Sequence, residues 1–144
     1  MNPIVKNVLA VVAAIVIGST VNMGFIMMSG FIIPPPEGAD LKTMEGLTAA
    51  MPLMQPKHFL FPFLAHALGT LVGAFIVAYF SANNKFVFAM MIGLLFLYGG
   101  ADMVMKLPSP MWFNVVDLGV AYLPMAFLGW KFSNLLLNRQ KVAH

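Results

Sequence analysis

The stretch that decides the fold is His58 to Phe80, which reads HFLFPFLAHALGTLVGAFIVAYF. It is too long and too apolar for an ordinary amphipathic surface helix. As a helix it reaches about 34 Å, which is enough to cross a bilayer core of about 30 Å. Within it, Ala65, Gly69 and Gly73 recur every four residues and leave one face nearly bare of side chains. The stretch therefore predicts a membrane-spanning helix that another helix can approach closely.

The composition of the whole chain predicts the same environment. Of its 144 residues, 60% are apolar and 9% are charged, whereas soluble domains carry about 25% charged residues. The net charge is +3, but the basic residues do not form a stripe along the sequence, so nucleic acid is not predicted as a partner. The absence of cysteine excludes disulfides and thiolate chemistry. We predict one domain, residues 1–144, with the lipid bilayer as its solvent.

Four membrane spans are predicted, and together they make an all-α membrane protein. They cover about residues 4–33, 58–80, 86–105 and 110–132. The links between them are short enough to predict an up-down-up-down bundle of four transmembrane helices. In the polar loop after the first span, we predict a short interfacial helix capped by Asp40. Pro124 is expected to kink the fourth span.

The basic residues predict how the bundle is oriented. One side would carry five of them: Lys6, Lys85, Lys131, Arg139 and Lys141. The other side would carry three, close to several acidic residues: Lys42, Lys57 and Lys106. Lys and Arg are enriched in cytoplasmic loops. We therefore expect a multi-pass protein of the bacterial inner membrane with both termini in the cytoplasm.

A second row of small residues lies on the first span. Ala10, Ala14 and Gly18 fall four residues apart, and Asn22 continues the row. Because four helices offer few buried positions, we expect this row to serve one contact and the Ala65–Gly73 row to serve another. One contact would lie within the bundle, and the other would join a second copy or a membrane partner protein. The alternative is a monomer that uses both rows internally.

Polar side chains from all four spans fall at similar depth, in the half of the membrane that we predict to be the outer one. This polar cluster comprises Asn22, His66, Thr70, Asp102, Asn114 and Asp117. Ionisable groups in hydrocarbon are costly unless they are partnered or wet, and they usually face the bundle interior. We predict a binding site for a small ligand or a proton, centred on a His66–Asp117 pair. A carboxylate beside an imidazole can fix its tautomer or relay a proton.

Each member of the cluster also has a structural interpretation. The His66–Asp117 pair can be a plain interhelical hydrogen bond. If Asn114 is the N-cap of the fourth helix, Asn114 and Asp117 resemble a capping box. Asp102 and Lys106 are four residues apart, and we favour a surface ion pair for them. Asn22 is interpreted first as an interhelical contact.

Motifs for catalysis are missing from the sequence. Serines have no Gly-x-Ser-x-Gly context, and neither His-Glu-x-x-His nor a glycine-rich phosphate loop occurs. We predict no enzyme activity and no cofactor. Thirteen methionines suggest Cu(I) as the least favoured alternative, with Met23, Met27 and His66 as ligands. Methionine is more often a flexible filler of apolar space.

Two segments carry a resemblance to a known kind of protein. Pro62–Thr70 (PFLAHALGT) and Pro108–Trp112 (PSPMW) resemble small four-helix bacterial membrane proteins without an assigned function. The resemblance spans most of the chain and implies the fold but no activity. Small multidrug transporters have a similar size, but their first-helix glutamate is missing here. Two hypotheses lead: binding or transport of a small ligand or proton, and a non-catalytic accessory or scaffold subunit of a membrane complex. Copper handling by methionine and histidine is the less favoured third.

Overall fold

Six α-helices joined by short links make up the computed structural model, which describes residues 1–142. The spans are α1 Pro3–Ile32, α3 Leu60–Phe80, α4 Lys85–Lys106 and a fourth that is divided into α5 Met111–Val120 and α6 Leu123–Val142. The short helix α2, Met44–Ala50, lies in the loop after α1. All four spans are long and apolar enough to cross a membrane. The predicted all-α bundle is confirmed, and the chain is a multi-pass membrane protein.

The cap of α2 differs from the predicted one. Thr43 is the N-cap, and its hydroxyl accepts a hydrogen bond of 3.0 Å from the Gly46 amide. Asp40 lies three residues earlier, where its carboxylate accepts the Lys42 amide at 2.9 Å and the Thr43 hydroxyl at 3.1 Å. These two bonds, the backbone one foremost, lower the pKa of Asp40. The prediction that Asp40 caps α2 is therefore wrong. Asp40 instead orders the turn that leads to Thr43.

Helix α3 is the centre of the bundle. Nine of its residues are buried, compared with three in α1 and four in α4. It packs against α1, α4 and α6. The α1 contact is antiparallel, since the Phe25 and Phe61 rings meet at 6.5 Å near one end. At the other end, Asn7 accepts a hydrogen bond from the Ala82 amide at 2.8 Å.

The two rows of small residues pack against each other. A Cβ on Gly18 would lie 2.8 Å from the Gly69 carbonyl oxygen, and one on Gly73 would lie 3.1 Å from the Ala14 carbonyl oxygen. Ala10 and Ala65 are buried with them. The prediction that one row stays available for a second copy is therefore wrong. Self-association stays a prediction, but these rows give it no support.

The fourth span breaks at Ala121 and Tyr122, between α5 and α6. Pro124 explains the break, since it has no amide hydrogen to donate to the Val120 carbonyl. Beyond the break, α6 lies so close to α3 that a Cβ on Gly129 would meet the α3 backbone. The break lets α5 leave the line of α6 and present its own polar face to α3.

The α3–α4 turn is held by a lysine. The Lys85 ammonium donates to the carbonyl oxygens of Ala78, Tyr79 and Ser81 at 2.7, 3.1 and 2.7 Å. The last carbonyls of a helix have no partner within the helix. Asn84, which precedes Lys85, has φ +46°, a conformation that asparagine tolerates better than most residues. Lys85 thus supplies a hydrogen-bond donor to carbonyl oxygens at the end of α3.

Candidate functional site

His66 and Asp117 are joined by a hydrogen bond between α3 and α5. The Nδ1 atom of His66 lies 2.8 Å from Oδ1 and 3.0 Å from Oδ2 of Asp117. The Asp117 side chain is 2% exposed and that of His66 is 24% exposed. An ionised carboxylate only accepts hydrogen bonds. With Asp117 ionised, the proton of a neutral His66 therefore sits on Nδ1.

Tyr122 is the third member of the site, and the sequence analysis missed it. Its hydroxyl donates to Oδ2 of Asp117 at 3.1 Å. Its ring stacks on the His66 imidazole, with centroids 5.7 Å apart and planes inclined by 27°. The ring passes over Gly100 of α4, where any Cβ would collide with the phenol. We call His66, Asp117 and Tyr122 the His–Asp–Tyr cluster.

A sequence signal for Tyr122 does exist. It lies two residues before Pro124, and proline breaks the helix that precedes it. A residue at such a break does not follow the regular helical periodicity. Counting helical turns from Asp117 therefore does not place Tyr122 on the same face as Asp117. The break itself is thus what brings a phenol to the carboxylate.

The second nitrogen of the His66 ring has no hydrogen-bond partner within residues 1–142. When Nδ1 carries the proton, Nε2 is a free acceptor with a lone pair. About a quarter of the His66 side chain is exposed, whereas the Asp117 carboxylate is buried.

The charge of the cluster depends on that nitrogen. With His66 neutral and Asp117 ionised, the cluster carries a net charge of −1. One proton on Nε2 makes the net charge zero. A buried net charge is costly in surroundings of low dielectric constant, whereas a hydrogen-bonded pair of opposite charges offsets part of that cost. The two protonation states would therefore differ in how well the bundle stabilises their charge.

Two other members of the predicted polar cluster lie on the buried side of α1 and α3. Thr70, one turn after His66, is fully buried, and its hydroxyl oxygen has no hydrogen-bond partner in the described chain. Asn22 lies against Gly69, where its Cβ would come within 3.0 Å of a Cβ on that glycine. Asn22 thus lies at the contact between α1 and α3.

The remaining two are bonded elsewhere. Asn114 accepts a hydrogen bond of 2.6 Å from the Ser109 hydroxyl and donates one of 3.3 Å to the Ser109 carbonyl. Since α5 begins at Met111, with Pro110 as its N-cap, the predicted capping box between Asn114 and Asp117 is wrong. Asp102 forms an ion pair of 2.5 Å with Lys106, and both side chains are well exposed. Of the six polar residues predicted, the structure joins His66 and Asp117.

Metal ligation finds no cluster to build on. Among residues 1–142 there is no group of three or more His, Cys, Asp or Glu side chains arranged to hold a metal ion. Met23 and Met27 lie on the exposed face of α1. His66 commits Nδ1 to Asp117 and keeps only Nε2 for a ligand.

Comparison with known proteins finds no family model, no curated protein and no solved structure that matches this chain. Function must therefore be inferred from the His–Asp–Tyr cluster and its place in the bundle.

Proposed function

We propose that this protein binds and releases a proton at the His–Asp–Tyr cluster and couples that step to the binding or transport of a small solute. One observation carries the proposal. A 2% exposed carboxylate is bonded to an imidazole that is 24% exposed and whose second nitrogen has no partner in the described residues. Ionisable groups inside membrane spans are rare and most often mark proton or substrate pathways.

His66 is the group that changes its charge in this proposal. Asp117 keeps two donors, one from the imidazole and one from the Tyr122 phenol, so its carboxylate stays solvated in both states. A proton that arrives at Nε2 turns a charged-to-neutral hydrogen bond into an ion pair. The ion pair adds Coulomb attraction between two charges to the hydrogen bond. Protonation would therefore tighten the link between α3 and α5.

Helix α5 is suited to respond to that change. It has ten residues, only Phe113 and Asp117 of it are buried, and it is separated from α6 by the break at Tyr122. A helix with few buried contacts opens at lower free energy than the core around it. We propose that α5 tilts about the break when His66 loses its proton, and that this movement admits the solute.

We also propose an orientation for the bundle in the membrane. The lysine and arginine bias favours cytoplasmic termini in a bacterial inner membrane, which would place the cluster in the outer half. The chain has no native cysteine, so single cysteines report topology directly. An impermeant thiol reagent added to intact cells should label Lys42→Cys and spare Asn83→Cys. Labelling of Asn83→Cys alone would invert the orientation.

Nitrogen NMR of histidine-labelled protein tests the proton site. We expect the His66 ring nitrogens to change between the neutral and the charged pattern as the pH is varied. This response should differ in Asp117→Asn, since the partner charge is lost. His58 is an internal control, because its ring is bonded to the backbone of Gln55 and Pro34. A His66 ring that keeps one pattern throughout would contradict the proposal.

The second candidate is an accessory subunit in which the cluster only fastens α5 to α3. One observation favours it: His66 lines neither the surface depression between α1 and α4 nor the one beside α2. An accessory role predicts that His66→Gln, which keeps a donor, preserves stability and leaves every pH response of the protein unchanged. A lost pH response with intact stability would favour proton coupling.

A further inference from the structure

One end of the bundle is basic and has no acidic side chain to balance it. This basic end carries Lys6, Lys85, Lys131, Arg139 and Lys141. The chain's five acidic residues lie elsewhere: Glu37, Asp40 and Glu45 in the first loop, Asp102 in the last turns of α4 and Asp117 in the His–Asp–Tyr cluster. Within residues 1–142, the ion pairs are His66–Asp117 and Lys106–Asp102. No protein carboxylate in the described chain neutralises the basic end.

Two of these cations lie near a third, Lys85. The Lys85 ammonium is used by the α3 carbonyls, while Lys6 and Lys141 lie near enough to act on its charge. Both of those lysines are exposed. Like charges held together at a membrane surface repel one another. An anion between Lys6 and Lys141 would relieve that repulsion.

An apolar groove begins at the same end, between α1 and α4. Its walls are Ile4, Val8, Val11 and Val12 of α1 and Phe88 of α4, with Asn7 as the polar lining residue. The groove exists because α1 packs along α3 and barely touches α4. The Asn7 amide does not project a free polar group into it, since it bonds Ala82 and Asn83 at 2.8 Å each.

We infer that this groove and the adjacent lysines bind an anionic phospholipid. An acyl chain would lie along the valines, and the phosphate would sit between Lys6 and Lys141. Lys6 neighbours Asn7 in sequence, and Lys85 stands one helical turn before Phe88, so the cations lie where the groove opens. Phe86 and Trp130, whose rings meet at 5.0 Å, form an aromatic pair between α4 and α6 at the same end of the bundle, and such residues favour the headgroup level.

The charge decides among possible occupants. A hydrophobic helix of a partner or of a second copy would fill the groove but leave the lysines without a counterion. A zwitterionic lipid would fill it and bring no net negative charge. An anionic phospholipid satisfies both parts of the surface, and each basic residue near an anionic membrane strengthens binding about fivefold.

Fluorescence quenching by lipids with brominated acyl chains tests this inference in the full-length protein. Trp112→Phe leaves Trp130, at the basic end, as the single reporter. In mixed micelles we expect brominated phosphatidylglycerol to quench Trp130 at a lower mole fraction than brominated phosphatidylcholine. Lys6→Gln with Lys141→Gln should remove most of that preference, about fivefold per lysine. The matched control is Lys42→Gln with Lys57→Gln, which removes the same charge at the other end.

A second pair of variants tests the groove. Val8→Phe should fill it and reduce the preference, whereas Val16→Phe should not, although Val8 and Val16 are similarly exposed at 56% and 58%. Equal quenching by the two lipids in the parent protein would overturn the inference. So would an equal loss in both double-lysine variants, since bulk charge would then account for it. A preference that survives Val8→Phe would overturn the groove as the acyl site.

Discussion

Removing the imidazole from the His–Asp–Tyr cluster should destabilise the fold through the carboxylate that is left behind. In His66→Ala, Oδ1 of Asp117 loses its 2.8 Å partner, and Oδ2 keeps only the Tyr122 hydroxyl at 3.1 Å. Asp117 is too buried to recruit water freely. An orphaned buried polar group costs about 1–3 kcal/mol. We expect the free energy of unfolding to fall by that amount.

A double-mutant cycle separates this effect from simple loss of packing. Asp117→Ala removes the acceptor and also costs stability, but His66→Ala in that background leaves no orphaned carboxylate. The double variant should therefore recover about 0.5–3 kcal/mol relative to the sum of the single losses. The measurement is unfolding by dodecyl sulfate in mixed micelles, followed by circular dichroism at a fixed pH.

The control cycle pairs Asp117→Ala with His58→Ala, because His58 bonds the backbone of Gln55 and Pro34 instead of the cluster. That pair should be additive within about 0.5 kcal/mol. Additive losses for His66 and Asp117 would refute the reasoning. His66 would then be an imidazole whose contact with Asp117 contributes nothing to stability, and the case for proton coupling would lose its basis.

Three further predictions concern the scaffold around the cluster. Gly69→Val should lower stability by about 1–3 kcal/mol, because a Cβ there would lie 2.9 Å from a carbonyl oxygen of α1. Gly24→Val, in open space, should cost far less in the same unfolding assay, and equal losses would contradict the close helix contact. Lys85→Met should cost about 1–2 kcal/mol by removing the donor of three carbonyls, and Lys131→Met, which is exposed, should cost little. The turn at Asp40 should lose its order as pH falls below the ordinary carboxyl pKa of 3.8. The lowered folded-state pKa means that its contribution is present above that value and is lost as pH falls through the folded-state pKa. Hydrogen exchange of the amide that donates to Asp40 measures this, and protection that does not fall as the carboxyl is protonated would contradict it.

The contrast between correct and incorrect expectations follows from what each depends on. Thr43, and not Asp40, caps α2, because both residue types favour capping and only the path of the loop chooses between them. The capping-box interpretation of Asn114 and Asp117 required the fourth helix to begin just after Asn114. Pro110 settles that start, and Asn114 turns back to Ser109. Asp102 forms its ion pair with Lys106, as the four-residue spacing predicted.

The sequence by itself determined the four spans, the rows of small residues and the similar depth of His66 and Asp117. These depend on local properties: hydropathy over about twenty residues, helical spacing and the rise of about 1.5 Å per residue. The tertiary structure alone decided which faces meet. It packs the row of small residues on α1, which contains Gly18, against the Ala65–Gly73 row of α3, and it places α3 at the centre. It also carries Tyr122 to Asp117 across a broken helix. Rotation and neighbour choice depend on contacts between distant segments, and no local spacing contains that information.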